Sequence, residues 1–436
     1  MATATFSRLG SANTYDNARA NLMTRQTSLV NLQDKMTSGK RVNTPSDDPT
    51  SAAQAERALN RIERIKTDQR ALDSQRNAIS QAESVLGDVT DTLQSIRELM
   101  VSAGDGGYTS AERQTIAMQI QGMRDQVFAL SNRKDTNGMP LFASLASALK
   151  PFVGPQATAP DYTFQGLPGQ NGSTEVTIAS TLDGDSAFMH QPNRDGVYNI
   201  KVTNTAAGLI PSSRTLQTDN VTVTSPVLVT GAAYAIDFTA IDTTTVPGTT
   251  TATYTLTDTT NSPGAPFATQ TISYPTDQPA NILIADDPPP PAAPTTLGLP
   301  GLSFSITGTP DVGDSITIDP SPSIFSVLDN AIRDIGVAPN GNAAAQAVGQ
   351  ALNNIDIGMS RVSAVRSQAG DLLNRAERIS VNQEKRSVQM ETDRSRAEDM
   401  DMMTGISDFQ NQQTGYQAAL QSYAQIQKLS LFNFIG

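Results

Sequence analysis

The sequence has no cysteine and no tryptophan, and aromatic residues make up only 5% of its 436 residues. The absence of cysteine excludes a disulfide framework, a thiolate nucleophile and a thiolate metal site. His190 is the single histidine, so metal sites built from histidine clusters are excluded as well. A compact enzyme of this length usually has a richer aromatic core. The deficit favours an elongated body with much surface per residue.

Basic clusters and long apolar runs are also missing. The chain carries 31 basic and 43 acidic residues, a formal net charge of −12. Nucleic-acid binding needs clustered Lys and Arg, so no nucleic-acid partner is expected. No window reaches the roughly 18 apolar residues of a membrane span, so no membrane partner is expected. The polar residues 1–22 do not resemble a cleavable signal peptide, which predicts a cytoplasmic protein unless export uses another route.

The inventory of catalytic groups is thin. His190 lies in the turn-like stretch FMHQPNRDG, and no G-x-S-x-G nucleophile elbow accompanies it. No phosphate-binding loop or dinucleotide fingerprint occurs, and GDGG at 104–107 reads as a helix break. Asp47 and Asp48 are explained more simply by turn and cap roles than by a cation site. We therefore expect no enzyme activity, no cofactor and no metal.

Both ends of the chain have helical periodicity. Residues 14–38 place apolar side chains every seven positions, and a longer seven-residue repeat follows, which is typical of coiled coils. A third helical pattern covers about 116–130. The interleaved positions of the first repeat hold Ala18 and Leu32, with Arg25 as the one misfit. The first repeat consists of Tyr15, Leu22, Leu29 and Met36, and the second of Ile65, Leu72, Ile79, Leu86, Leu93 and Met100.

The C-terminal part repeats this organisation. A helical seam lies within about 343–400, and its charged residues alternate in sign, which indicates a solvated or interhelical face. A last helix then spans about 405–431. Its apolar residues are Ile406, Phe409, Tyr416, Leu420, Tyr423 and Leu431.

The middle of the chain, about 150–322, is rich in Thr, Pro and Gly and alternates polar with apolar residues. Runs such as STEVTIA, VYNIKVTN, TATYTLTD, TQTISYP and DSITIDP predict short antiparallel strands. DDPPPP at 286–291 predicts a stiff connector that cannot be a central strand.

These patterns predict an α+β multidomain fold. A long antiparallel α-helical coiled-coil bundle is formed by the N- and C-terminal segments, and a mainly antiparallel β domain is inserted between them. The predicted division is an N-terminal inner helix at 1–44, helical core at 45–150 and 323–400, a variable outer β domain at 151–322 and a C-terminal inner helix at 401–436.

The outermost helices are too sparsely apolar to be stable alone. Burying one large apolar side chain gains roughly 1.5–3 kcal/mol, whereas ordering each backbone residue costs about 1–2 kcal/mol. A single contact between two such helices barely balances this cost. We therefore predict that neighbouring copies cover the apolar residues of the first and last helices given above.

Residues 29–49, LVNLQDKMTSGKRVNTPSDDP, begin as a helix and end in turn residues. Gly39 is placed to take the left-handed conformation that closes many helices. Asp48 is a good N-cap, and Pro49 suits the first helical position. With Pro45 and Asp47, these residues predict a tight turn between two helices.

The chain resembles a known family in its N-terminal and C-terminal helical regions. SGKRVNTPSDDP at 38–49 is similar to the N-terminal signature of the flagellin superfamily, and the form PSDDP is similar to its hook-associated members. QTGYQAALQSYAQIQKLSLFNFIG at the other end resembles the family's C-terminal helix. DTNGMPLF at 135–142 agrees only in part, because Ala143 and Ser144 depart from the family pattern. The β region matches nothing in the family.

The resemblance implies a structural protein of the bacterial flagellum that assembles at the hook tip and joins hook to filament. It implies a homo-oligomeric ring, with the first hook-associated protein, flagellin and an export chaperone as partners. It also implies an extracellular location reached through the flagellar type III pathway, and it places the 39–49 turn at a subunit contact. Two other functions stay open: a flagellin filament subunit, and a surface adhesin with a β binding domain.

Overall fold

The computed structural model describes residues 11–145, 148–157, 160–204, 215–284, 298–338 and 340–435, with side chains from 16 to 425 within those ranges. The chain divides into two compact units. The terminal unit comprises the residues up to 70 and from 379, and the central unit comprises 71–378. The helices are α1 (Ser11–Ser38), α2 (Pro49–Ala103), α3 (Ser110–Ser131), α4 (Gly184–Phe188), α5 (Pro192–Asp195), α6 (Ile324–Val337), α7 (Gly341–Glu398) and α8 (Met402–Ile435).

In the central unit, the predicted seven-residue seam of α2 is the buried face of the helix. Every seam residue from Leu72 onward is nearly or completely inaccessible to solvent, as heptad packing requires. Salt bridges connect α2 with α7: Arg97 Nε lies 3.0 Å from Asp356 Oδ1, and Arg366 Nε lies 2.8 Å from Glu83 Oε1. The alternating charges of α7 therefore include an interhelical set, as the sequence indicates.

Helix α3 begins at a capping box, because Thr109 and Glu112 satisfy each other's backbone N–H groups. It packs against α6, and the ring of Phe128 meets that of Phe325 edge-on at 5.2 Å. The helical region expected from 323 onward is thus two helices, α6 and α7. The sequence interpretation did not separate them.

The inserted region contains antiparallel sheets. A five-stranded sheet has the order β3-β11-β6-β7-β8, and a second has the order β4-β10-β5, with β9 also paired to β10. Their apolar faces form one buried cluster that includes Ile236, Leu256 and Ile316. The strands are β1 (Phe152–Val153), β2 (Thr163–Phe164), β3 (Tyr198–Asn204), β4 (Gln217–Thr218), β5 (Thr222–Val223), β6 (Tyr234–Asp242), β7 (Thr249–Asp258), β8 (Pro266–Pro275), β9 (Ala280–Ile284), β10 (Leu302–Gly308) and β11 (Asp314–Pro320).

The predicted fold class, α+β with helical ends and an antiparallel β insert, is confirmed. One strand prediction was wrong, because STEVTIA at 173–179 is an irregular segment. The Thr174 hydroxyl accepts the N–H of Thr177 at 3.1 Å, and the Ile178 N–H donates to Gln75 of α2 at 3.1 Å. Side-chain oxygens therefore accept the backbone N–H groups that would otherwise pair with a neighbouring strand. The connector predicted at 286–291 lies outside the described residues.

His190 differs from its expected exposed turn position. It lies between α4 and α5, but only 6% of it is exposed. Burial lowers the pKa of its imidazole to about 4, while Asp195 opposes this shift and Arg194 and Arg361 reinforce it. The imidazole of His190 is therefore neutral at pH 7.

Candidate assembly surface at the chain ends

Helices α1 and α8 pack together within the terminal unit, and we call them the terminal pair. Two contacts show that they are antiparallel: the Met400 N–H donates to the Gly39 carbonyl at 2.9 Å, and the Arg25 guanidinium lies over Gly415. A Cβ on Gly415 would come within 2.7 Å of Arg25 Nη1. The exposed Arg25 guanidinium would therefore have to move if residue 415 carried a side chain.

The predicted interface residues of the terminal pair are incompletely covered. The structure leaves Ile406 and Leu420 exposed, at 42% and 43%. The side chains of Tyr15 and Leu431 lie outside the description. The remaining predicted residues are half-buried: Leu22, Leu29, Met36, Phe409, Tyr416 and Tyr423.

Other apolar side chains of the terminal pair are open as well. Met23 is 57% exposed, Val30 is 47% exposed and Met403 is 81% exposed. Among the described side chains at 16–38 and 402–425, no apolar one is fully buried. Leu86 and Leu93 in the central unit are 0% exposed. The terminal pair thus holds apolar surface that a single chain does not cover.

The turn after α1 adopts the conformation expected from its sequence. Gly39 has a φ of +70°. The Asp47 carboxylate accepts the N–H groups of Asn43 and Thr44, both at 3.1 Å. Asp48 caps α2 by accepting the N–H groups of Thr50 at 3.1 Å and Ser51 at 3.2 Å. Pro49 is the first residue of α2.

This turn is bound to the turn between α7 and α8. Lys40 and Asp399 form an antiparallel bridge, and the Arg41 N–H donates to the Glu398 carbonyl at 2.7 Å. Lys40 and Glu398 also form an ion pair, and the Arg41 guanidinium donates to the Ala397 carbonyl at 2.9 Å. We call residues 39–48 and 397–401 together the joint. It fixes the ends of α1 and α8 to each other.

Hydrogen bonds hold Asp47 and Asp48 of the joint in their charged form. Hydrogen bonds from Ser51 and Thr50 keep the pKa of Asp48 well below its usual range. Backbone N–H groups of Thr44 and Asn43 lower the pKa of Asp47. At neutral pH, both carboxylates therefore act as stable hydrogen-bond acceptors.

A cleft of about 570 Å³ opens beside the joint. Val42, Pro45, Pro49 and Leu59 supply apolar surface, and Glu398 and Arg394 supply charge. Leu59 is 39% exposed. An apolar recess rimmed by charged side chains is typical of a protein contact.

Only half of the joint was predicted from the sequence. The first turn has a local pattern, but the roles of Arg41 and Glu398 do not, because a backbone bridge between distant turns leaves no local signal. Asp401 could have been found, since its carboxylate caps α8 by accepting the Met403 N–H at 3.0 Å. An aspartate directly before a helical run is a typical N-cap in sequence.

Within the described ranges, no group of three or more acidic or histidine side chains is arranged to hold a metal ion. None of the helices, as far as they are described, is both long and apolar enough to cross a membrane.

Comparison with known proteins identifies the two helical ends. Residues 11–147 match the family model described as "Bacterial flagellin N-terminal helical region". Residues 352–435 match the model described as "Bacterial flagellin C-terminal helical region". Flagellar hook-associated protein 3 of Salmonella typhimurium is 34% identical over 147 residues, which are 33% of this chain and 46% of that protein. Its Escherichia coli counterpart is 35% identical over 127 residues, 27% of this chain and 38% of that protein.

A filament protein is also similar. The flagellar filament 30.7 kDa core protein of Treponema maltophilum is 27% identical over 115 residues, covering 26% of this chain and 40% of that protein. The chain therefore aligns with less than half the length of each of these relatives.

Solved structures share the fold. Xanthomonas campestris FlgL has a TM-score of 0.53 and 21% identity, covering 77% of this chain and 98% of that chain. The flagellar junction protein FlgL from Legionella pneumophila has a TM-score of 0.54 and 23% identity, covering 74% of this chain and 99% of that chain. The two flagellin helical regions together match about half of the residues, and the chain belongs to the flagellin family.

Proposed function

We propose that this chain assembles at the tip of the flagellar hook and joins the hook to the filament. The observation that carries the proposal is the uncovered apolar surface of the terminal pair, where Met403, Ile406 and Leu420 are exposed. Each side chain that a neighbour covers gains roughly 1.5–3 kcal/mol. The role is structural and involves no catalysis.

In this proposal, copies of the chain form a ring through their terminal pairs. The half-buried and exposed positions given above face neighbouring copies, together with Tyr15 and Leu431. The joint lies at a subunit contact, where the cleft beside Pro45 and Pro49 receives part of the next copy. The five-part division of the chain, with inner helices at 1–44 and 401–436, goes with this arrangement.

The proposed partners are the first hook-associated protein on the hook side and flagellin on the filament side. A cytoplasmic chaperone would cover the C-terminal helix before export, because its apolar side chains are exposed in a single chain. Export through the flagellar type III channel places the protein outside the cell. The absence of cysteine suits passage through a narrow channel, since no cross-link can form.

The second candidate is a filament subunit, which the similarity to the Treponema filament protein supports. The hook-associated relatives favour the junction role, because they are more similar over a longer stretch. The sequence PSDDP at residues 45–49 also favours the junction role. A junction protein should stop at a short ring, whereas a filament subunit should extend from seeds.

The test is docking of the purified chain onto hooks from cells that lack their own hook-associated protein 3. We expect antibody labelling confined to the distal end, and flagellin should then polymerise from that end. A control reaction without the chain should give bare hooks. Long filaments made of this chain alone, or no labelling at the tip, would contradict the junction role.

A further inference from the structure

Strand β8 forms one end of the five-stranded sheet. It runs for ten residues as PFATQTISYP and contains no charged side chain, in a chain where 17% of residues are charged. Sheet edges are usually protected from other strands by charge, proline or a bulge. Here prolines occupy both ends, and a register shift lies opposite the Leu256–Thr257 step. The stretch between Ala268 and Tyr274 has no such protection.

One hydrogen bond determines which backbone groups of β8 point outward. Thr276 donates its N–H to the Gly248 carbonyl at 3.1 Å, and this pair continues the β7–β8 register. In an antiparallel ladder, hydrogen-bonded pairs alternate with pairs whose N–H and C=O groups point away. The even-numbered residues of β8 therefore bond to β7. Those pointing outward are Thr269, Thr271 and Ser273.

Two observations agree with this assignment. Pro275 falls in the outward set, where its missing N–H removes no bond to β7. Within the described ranges, no backbone hydrogen bond outside the β7–β8 ladder involves Thr269, Thr271 or Ser273. Their N–H and C=O groups therefore form an open row along the edge.

The two faces of β8 are chemically distinct. On the exposed face, hydroxyl groups pair across to β7, with Thr253–Thr271 at 3.3 Å. On the other face, Ala268 belongs to the buried apolar cluster. Ile272 and Tyr274 pack against that cluster but are only half-buried. A strand added at the edge would cover them further if it carried hydroxyl groups on one face and apolar groups on the other.

We propose that the β8 edge docks the β8 strand of a second copy of this chain. Two β8 strands related by a twofold axis at Thr271 would run antiparallel, with Thr269 opposite Ser273. Each outward residue would then donate its N–H and accept at its C=O. The hydroxyl face would continue as a hydroxyl face, and Ile272 would stay on the apolar side. No like charges would face each other across the contact between the two strands, because β8 has no charged side chain.

The absence of cysteine provides a direct test, since one introduced cysteine is the only thiol. In the full chain, Thr271→Cys places two sulfurs next to the twofold axis. The paired Cα atoms would be about 5.5 Å apart, within the disulfide range. Thr253→Cys is the matched control, because it lies on the same face one strand inward, and the two control Cα atoms would be about 14 Å apart. Mild oxidation should cross-link the first variant into dimers at least about tenfold faster than the second.

A second variant tests the backbone contribution. Thr271→Pro removes one outward N–H without removing a bond to β7. At protein concentrations up to about 1 mM, sedimentation equilibrium should show dimers for the unaltered chain and loss of dimers for this variant. Equal cross-linking of the two cysteine variants, or a purely monomeric unaltered chain, would overturn the proposal. The unaltered chain and Thr271→Pro should dock onto hooks equally well, so this test is independent of the proposed role at the hook–filament junction.

Discussion

At the residue scale, Gly39 sets the geometry of the joint. Its φ of +70° lies in the left-handed region, which costs a residue with a side chain about 1–2 kcal/mol. Gly39→Val should therefore distort the joint and displace the carbonyl that binds the Met400 N–H. We expect hook docking about tenfold weaker, measured by titration of labelled chain onto isolated hooks.

Two controls separate conformation from size. Gly39→Asn should retain most of the affinity, because asparagine tolerates the left-handed conformation. Gly349→Val should have little effect on docking, since Gly349 lies in α7 with open space around it. If Gly39→Val docks as tightly as the unaltered chain, the joint has no part in assembly.

His190 makes the central unit sensitive to acid. Its folded-state pKa is about 4, whereas an unfolded histidine titrates near 6.5. Between about pH 6.5 and pH 4, the His190 imidazole binds a proton in the unfolded chain but not in the folded chain. Stability is therefore lost as pH falls from about 6.5 to 4, by roughly 3 kcal/mol from this residue.

The measurement is urea unfolding of the unaltered chain and of His190→Gln at pH 7.5 and 4.5. Other groups titrate equally in both chains, so the difference between their pH slopes isolates this residue. His190→Gln should lose about 2 kcal/mol less between the two pH values. Identical slopes would show that the imidazole is protonated or solvated in the folded protein.

At the element scale, the contact between Arg25 and Gly415 positions α1 against α8. Gly415→Ala should raise helix propensity by about 1 kcal/mol, but its Cβ would displace the Arg25 guanidinium. Because the exposed guanidinium can move, we expect its displacement to offset only part of the propensity gain when Gly415→Ala is made in the unaltered chain. In an Arg25→Ala background only the propensity gain remains, so the same change should stabilise the terminal pair more than it does in the unaltered chain.

Amide hydrogen exchange in α1 and α8 measures this effect for each helix. Protection should rise more from Arg25→Ala to the double variant than from the unaltered chain to Gly415→Ala. An equal change in both backgrounds would mean that Arg25 and Gly415 are not in contact.

The helices of the chain were largely predictable because their signals are local and repeated. The seven-residue step from Leu72 to Met100 identifies the buried face of α2 directly. Gly39 and Asp48 likewise indicated the turn, since their conformational preferences are intrinsic. The exposure of the terminal pair followed from the low number of apolar residues it carries.

Features set by long-range contacts were not predictable. Alternation in STEVTIA suggested a strand, but Gln75 and Thr174 take its backbone hydrogen bonds. The second half of the joint depends on Glu398 meeting Arg41 across the chain. His190 is buried by neighbours that its local sequence does not reveal. In each case the deciding partner is far away in sequence.

At the scale of the whole molecule, one chain contains two kinds of helical surface. The central unit buries its seam completely, as at Leu86 and Leu93. The terminal pair leaves Met403 and Ile406 exposed, so few buried contacts hold it together. Segments with few buried apolar contacts open most easily. We therefore predict that a single chain is stably folded in its central unit and opens readily in its terminal pair.

Limited trypsin digestion of the soluble chain, compared with the chain docked on hooks, tests this claim most directly. In the soluble chain, cleavage should begin at Arg19 and Arg25 in α1 and at Lys428, the one Lys or Arg of α8. Further cleavage after Arg41 and after Arg396 should then leave a core from about 45 to 400. Docking should protect the same sites. A soluble chain that resists trypsin equally along its whole length would contradict the account.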